Sequence, residues 1–217
     1  MMRKLLTEFI GTFFLVSGAA FGGAIGASVV LMAMIYAGGH ISGAHYNPAV
    51  TVAMLIRRKI APNEAIGYVI SQLVAGALAG VVACCMLDNH GLIECNFLAG
   101  TGKALFAEVI GTFALAYVVL NVATARGTTG NSYFGIAIAG TVYAMAWIFG
   151  SFSNGGVFNP AVVLGLTIQQ SFCWKVLWLF FVGPVVGGVI AAFAFRLVNG
   201  ADSQPESIPN PVEPIRR

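Results

Sequence analysis

Two asparagines sit in near-identical settings: Asn47 within Ser-Gly-Ala-His-Tyr-Asn-Pro-Ala-Val, and Asn159 within Asn-Gly-Gly-Val-Phe-Asn-Pro-Ala-Val. An asparagine side chain carries two amide hydrogens and a carbonyl oxygen. Asparagine is a strong helix N-cap, and proline is favoured at the first helical position, where its missing N–H had no partner. Asn47-Pro48-Ala49 and Asn159-Pro160-Ala161 therefore read as two helix starts that also offer amide donors. Glu8 and Glu108 are the carboxylates set deep in apolar sequence, again in matching contexts, Thr-Glu-Phe-Ile-Gly-Thr-Phe and Ala-Glu-Val-Ile-Gly-Thr-Phe. A carboxylate there is either a proton relay or a brace for neighbouring backbone. His45, in the loop before Asn47, reads as a loop-fixing hydrogen bonder. No nucleophile–base set, metal-ligand cluster or phosphate loop accompanies these residues, so neither an enzyme, a cofactor nor a metal site is expected.

The elements that hold these residues must be membrane elements. The 217-residue chain is 58% hydrophobic and 9% charged, with a mean hydropathy of +0.86. Soluble domains carry about 25% charged residues. Apolar segments at 4–21, 24–39, 62–87, 103–124, 133–151 and 172–198 approach or exceed the ~20 residues of a spanning helix. Two more, 47–56 and 159–169, cover only about half the hydrocarbon thickness. The first two spans meet at Gly22-Gly23, so their connection must be very short. The start is not a cleavable signal peptide, because its apolar run leads into more membrane sequence. The net charge of +3 offers no tract for nucleic acid.

The duplicated contexts divide residues 1–198 into repeats of about 3–102 and 103–198, each with three spans and one half-length segment. An odd number of spans per repeat inverts the second repeat in the membrane. The expected fold is all-α: six transmembrane helices and two re-entrant half-helices. Residues 199–217 read as a disordered cytoplasmic tail rich in proline. Arg3, Lys4, Arg57, Arg58, Lys59, Arg126, Arg196, Arg216 and Arg217 fall on one side of this scheme, and Lys103 and Lys175 on the other. The positive-inside rule then places both termini in the cytoplasm, with the chain in the cell (inner or plasma) membrane.

Inversion brings the two half-helix starts together near the midplane, with their positive dipole ends opposed. Two asparagine amides can hold the oxygen of a passing neutral molecule, while the dipole ends disfavour a cation or hydronium. Irregular backbone at this depth is tolerated where it lines a watery cavity. The glycine-containing stretches 39–46 and 154–158 can supply carbonyl acceptors along it. The partners implied are water, small neutral solutes and membrane lipid.

The paired Asn-Pro-Ala motifs, with Glu-x-x-Gly-Thr-Phe in both halves, resemble the aquaporin (major intrinsic protein) family over about residues 3–198. The resemblance implies a right-handed bundle of six helices, one pore per subunit, a homotetramer, and glutamates that brace the half-helix loops. It also implies a selectivity filter at Ala27, Trp147, Gly156 and Val162. Val162 stands where the family usually has arginine, which implies passage of solutes besides water, such as ammonia, hydrogen peroxide and urea. Trp147 either closes the opening left by the small residues or faces lipid. Val162-Val163 after the second motif and Phe180-Phe181 on the last span are closer to water channels than to glycerol facilitators. A glycerol-type facilitator and an ion-coupled secondary transporter are the alternatives.

The remaining features read as packing. Cys84, Cys85, Cys95 and Cys173 are expected to be free thiols, since none has metal-ligand spacing. Gly76-x-x-x-Gly80 and Gly183-x-x-x-Gly187 are expected at close helix contacts. His40 is expected to fix a loop and His90 to be solvated in an outer loop.

Overall fold

The structure is a computed structural model that describes residues 1–87, 97 and 99–200. His90, Cys95 and the tail beyond 200 lie outside the described residues. The elements are α1 (Met2–Ser42), α2 (Pro48–Ile56), α3 (Pro62–Met86), α4 (Thr101–Thr124), α5 (Phe134–Phe149), α6 (Pro160–Ile168) and α7 (Leu177–Asn199), with short 3₁₀ turns between some of them. No strand occurs among the described residues.

α1 accounts for the first two spans together. At 1.5 Å per residue its 41 residues would measure about 60 Å, twice the hydrocarbon thickness. The helix instead reverses at Gly23, whose φ of 57° and ψ of −147° are open to glycine. Gly18 and Gly26 then face each other across the hairpin: a Cβ on Gly26 would lie 2.3 Å from the Gly18 carbonyl oxygen. In a straight helix, residues eight apart stand about 12 Å apart along the axis.

α1, α3, α4, α5 with its following 3₁₀ turn, and α7 are each long and apolar enough to cross a membrane. Their outer faces are apolar. On α3, Ile66, Ile70, Val74, Leu78 and Val81 are exposed in one stripe, at the three- and four-residue spacing of a helix face. The opposite face, with Ala65, Tyr68, Gln72, Gly76, Ala79, Gly80 and Ala83, is buried and mostly small. Exposed aliphatic stripes suit lipid; small residues let helices close on one another.

The two halves repeat each other in packing as well as in sequence. On α3, Cβ atoms at Gly76 and Gly80 would collide with the carbonyls of Ala161 and Gly165 on half-helix α6. On α7, a Cβ at Gly188 would lie 2.7 Å from the Ala49 carbonyl on half-helix α2. Gly183 and Gly187 press on α4, against Glu108 Cβ and the Val109 carbonyl. Both glycine pairs therefore stand at close helix contacts.

One cysteine reading is corrected. Cys84 and Cys85 are free, but Cys173 is disulfide-bonded. Spacing along the chain gave no sign of this, because Cys173 belongs to the short connection between α6 and α7 and its environment is set by tertiary structure.

Candidate functional site

Each half-helix begins as its sequence dictates. Asn47 and Asn159 are extended, with φ of −156° and −153°. Asn47 Oδ1 accepts from Ala49 N–H at 2.8 Å, and Asn159 Oδ1 accepts from Ala161 N–H at 3.0 Å. The caps leave both amide NH₂ groups free to act elsewhere. Asn47 Nδ2 donates to the carbonyl of Phe158 and Asn159 Nδ2 to that of Tyr46, each at 2.9 Å. Each loop is thus tied to the other by the asparagine that starts its partner helix. Each NH₂ keeps a second hydrogen, and both asparagines line the central cavity.

Tyr46 and Phe158, which precede the asparagines, adopt φ of 49° and 52°, a region costly for side chains of this size. Three contacts hold each of them there. The rings fill slots over Gly11 and Gly111, where a Cβ would meet them at 2.1 and 2.0 Å. The carbonyls accept from the opposite asparagine. The N–H groups of Tyr46 and Phe158 donate to Glu8 Oε2 and Glu108 Oε2, both at 2.7 Å.

The two glutamates are wholly buried and accept matching sets of donors. Glu8 Oε1 takes Ser42 Oγ at 2.6 Å and His45 N–H at 3.0 Å. Glu108 Oε1 takes Ser153 Oγ at 2.7 Å and Val157 N–H at 3.0 Å. Loss of any one of these partners leaves a buried polar group unmet, at about 1–3 kcal/mol. The halves differ at one point: Glu8 Oε2 also accepts from Gln72 Nε2 at 2.8 Å. Gln72 precedes Gly76 on α3 by four residues; four before the equivalent Gly188 on α7 stands Pro184, which has no side-chain donor.

The cavity runs between the two loops, from Gly23, Ser171 and Phe172 at one end to Ile35, Ala44 and His45 at the other. Its polar atoms come from the loops and the asparagines. Much of the rest is aliphatic, including Leu15 and Leu31 of α1 and Ile138 and Val142 of α5. Among the described residues, no three His, Cys, Asp or Glu side chains come together to hold a metal.

Of the four expected filter residues, Ala27, Gly156 and Val162 line the cavity. Trp147 does not. It is 80% exposed and packs beside Tyr143 on the outer face of α5, with ring centroids 6.4 Å apart. Its neighbour Ala146 lines the cavity instead, one turn on from Val142 and two from Ile138. Counting back from Asn159 lands on Trp147, and the 3₁₀ turn at Gly150–Phe152 lies within that count. The four-residue spacing of Ile138, Val142 and Ala146 was the better guide.

Sequence reasoning also passed over Ser42, Thr51, Gln72 and Ser153. Gln72 had a signal: it falls in the series Tyr68, Gln72, Gly76 and Gly80, at the spacing of one buried helix face, where a polar side chain needs a partner. Ser42 and Ser153 gave none, since their roles depend on where α1 and α5 end.

Two inverted repeats, each sending a capped half-helix to a shared midpoint beside one central cavity, define a membrane channel. Comparison with known proteins places it further. A family profile described as "Major intrinsic protein" matches residues 18–195, and the chain belongs to that family of passive channels, which are not enzymes. It is 36% identical to "Glycerol uptake facilitator protein-like 6" of Lactiplantibacillus plantarum, over 93% of this chain and 100% of that protein. It is 31% identical to "Aquaporin NIP3-1" of Arabidopsis thaliana, over 97% of this chain and 72% of that protein. Its fold matches the X-ray structure of the aquaglyceroporin from Plasmodium falciparum with a TM-score of 0.78, at 18% identity over 93% of this chain and 98% of that one.

Proposed function

We propose that this protein conducts water together with other small uncharged solutes, excludes ions and protons, and works as a homotetramer with one pathway per subunit. The observation that carries the reading is the crossed pair Asn47 and Asn159. Their remaining amide hydrogens present donors to the cavity where the positive ends of α2 and α6 converge. A neutral molecule with an acceptor oxygen is served there and a cation is disfavoured.

The small residues along the passage favour the broader solute range over water alone. Ala27, Ala146, Gly156 and Val162 are all small or medium and none is charged. Gly156 cannot be replaced by anything larger without movement, since its φ is 69° and a Cβ would meet Phe158 at 2.7 Å. With Trp147 turned outward, nothing bulky from that stretch of α5 narrows the opening, which supports a facilitator for solutes such as glycerol beside water.

The orientation proposed is cytoplasmic termini in the cell membrane. Lys4 pairs with Glu64 at 2.8 Å, and Arg57 donates to the Thr124 carbonyl and Arg196 to that of Ile56. These cations cluster at one end of the bundle, in keeping with the positive-inside rule. Cys173 lies toward the other end, where an oxidising exterior suits a disulfide.

The deciding experiment is osmotic swelling and shrinking of proteoliposomes, with water, glycerol, urea and ammonia measured in parallel. Low-activation-energy water flux with measurable glycerol or urea flux is expected. Permeability no higher than that of protein-free liposomes for every solute sinks the proposal.

A further inference from the structure

Among the described residues, hydrogen-bonded side chains lead from Glu8 to the cavity, while Glu108 reaches it only through the backbone of Val157. Thr51 follows Asn47 by four residues, and its counterpart after Asn159 is Val163. His45 has Val157 as its counterpart, and Gln72 has Pro184. The first half alone therefore carries a chain of side chains, Glu8–Gln72–Thr51–His45, in buried surroundings.

Counting hydrogens along this chain assigns every donor. Glu8 accepts from Ser42, His45 N–H, Tyr46 N–H and Gln72, so it is the acceptor and Gln72 must present its NH₂ to it. The second Gln72 hydrogen points to Thr51 Oγ1 at 3.0 Å. Two oxygens lie within reach of the single Thr51 hydroxyl hydrogen, and the Asn47 carbonyl at 3.0 Å takes it over Gln72 Oε1 at 3.5 Å, in the back-bond that threonine commonly makes within a helix. What remains on Thr51 Oγ1 is a lone pair, and His45 Nδ1 lies 3.1 Å from it. With the hydroxyl hydrogen so placed, His45 donates through Nδ1. A neutral imidazole with its hydrogen on Nδ1 has a bare acceptor at Nε2. Nε2 has no hydrogen-bond partner among the described residues and is not sealed from the cavity that His45 lines.

We infer that Thr51, itself held by Gln72, fixes His45 as the Nδ1–H tautomer, so that His45 Nε2 is a hydrogen-bond acceptor on the solute pathway beside the Asn47 donor. Thr51 and Gln72 are then positioning residues that touch no solute. A molecule leaving the asparagines on this side passes from donor to acceptor. Solutes that carry their own donors, such as water, alcohols and ammonia, are matched at this step. Aprotic solutes such as acetone are not. The tautomer assignment stands on geometry alone; the effect on flux rests on the channel reading above.

The test is ¹⁵N NMR of the full chain in lipid bilayers with labelled histidine, His45 being identified by its loss in His45→Asn. The wild type should show Nδ1 protonated and Nε2 bare. Nε2 protonated, or an imidazolium, overturns the inference. Thr51→Val should fold, as valine already fills the equivalent place in the second half. It should shift His45 toward the Nε2–H form and lower water and glycerol flux about fivefold, the worth of one hydrogen bond. Thr51→Ser should restore both. A folded Thr51→Val with the wild-type tautomer overturns the role of Thr51. The expected tautomer in a protein that passes no solute would uphold this assignment and sink the channel proposal instead.

Discussion

Tyr46 and Phe158 stand in one another's reflected place: each gives its N–H to a buried glutamate and its carbonyl to the asparagine that follows the other. Both N–H bonds measure 2.7 Å and both carbonyl bonds 2.9 Å. The midpoint of the channel is therefore a closed ring of contacts, Glu8–Tyr46–Asn159 and Glu108–Phe158–Asn47. Neither half-helix can move without loosening the other.

The ring predicts that the asparagines are structural as well as conductive. Asn47→Ala removes the cap on α2, worth about 1 kcal/mol, and leaves the buried Phe158 carbonyl unmet, at about 1–3 kcal/mol. Asn159→Ala should cost a similar amount through Tyr46. Thermal unfolding in detergent, followed by circular dichroism, should show both variants melting earlier than wild type. An unchanged midpoint for either would mean that the crossed bonds contribute nothing.

Glu8→Ala and Glu108→Ala should fail by misassembly. Glu8→Ala strands four donors and Glu108→Ala strands three, each at about 1–3 kcal/mol if water does not reach it. Size-exclusion chromatography of freshly solubilised protein should show aggregated or dissociated material. A well-folded Glu8→Ala oligomer with an altered pH dependence of flux would favour a proton relay.

Ala146→Phe and Trp147→Ala separate the two candidate walls of the filter. The phenylalanine projects into the passage beside Gly156 and should reduce glycerol flux at least tenfold while sparing part of the water flux, an effect above 1.4 kcal/mol. Trp147→Ala removes an outward-facing ring and should leave all solute ratios as they were. Stopped-flow light scattering on both variants settles which residue bounds the pathway.

Val162→Arg introduces fixed donors and a positive charge beside the glycine loop. Ammonia, urea and glycerol flux should fall more than water flux, because each solute must then match the guanidinium. Solute ratios identical to wild type would show that residue 162 does not govern selection.

Much of this arrangement was legible in the sequence because duplication wrote it twice. One Asn-Pro-Ala is an ordinary capped helix; two, at matching places of an inverted repeat, define a meeting point. The same doubling pointed to Glu8 and Glu108. What repetition could not convey was phase and partnership. Trp147 and Ala146 differ by one position, and the count from Asn159 crosses the 3₁₀ turn after Phe149. Gln72 has no counterpart in the second half, so the repeat concealed it. Cys173 pairs through tertiary proximity, which its spacing does not record.

The hairpin at Gly23 has a consequence for how the chain is made. Its two limbs share a single reversing residue and press together at Gly18 and Gly26, so no hydrophilic stretch separates them as they leave the ribosome. The insertion machinery meets about forty consecutive residues, Met2 to Ser42, whose cations, Arg3 and Lys4, stand at the very beginning. Neither limb can be released into lipid while the other waits, since the turn that joins them has nothing to leave on the far side. The pair should enter as one folded unit, already bent.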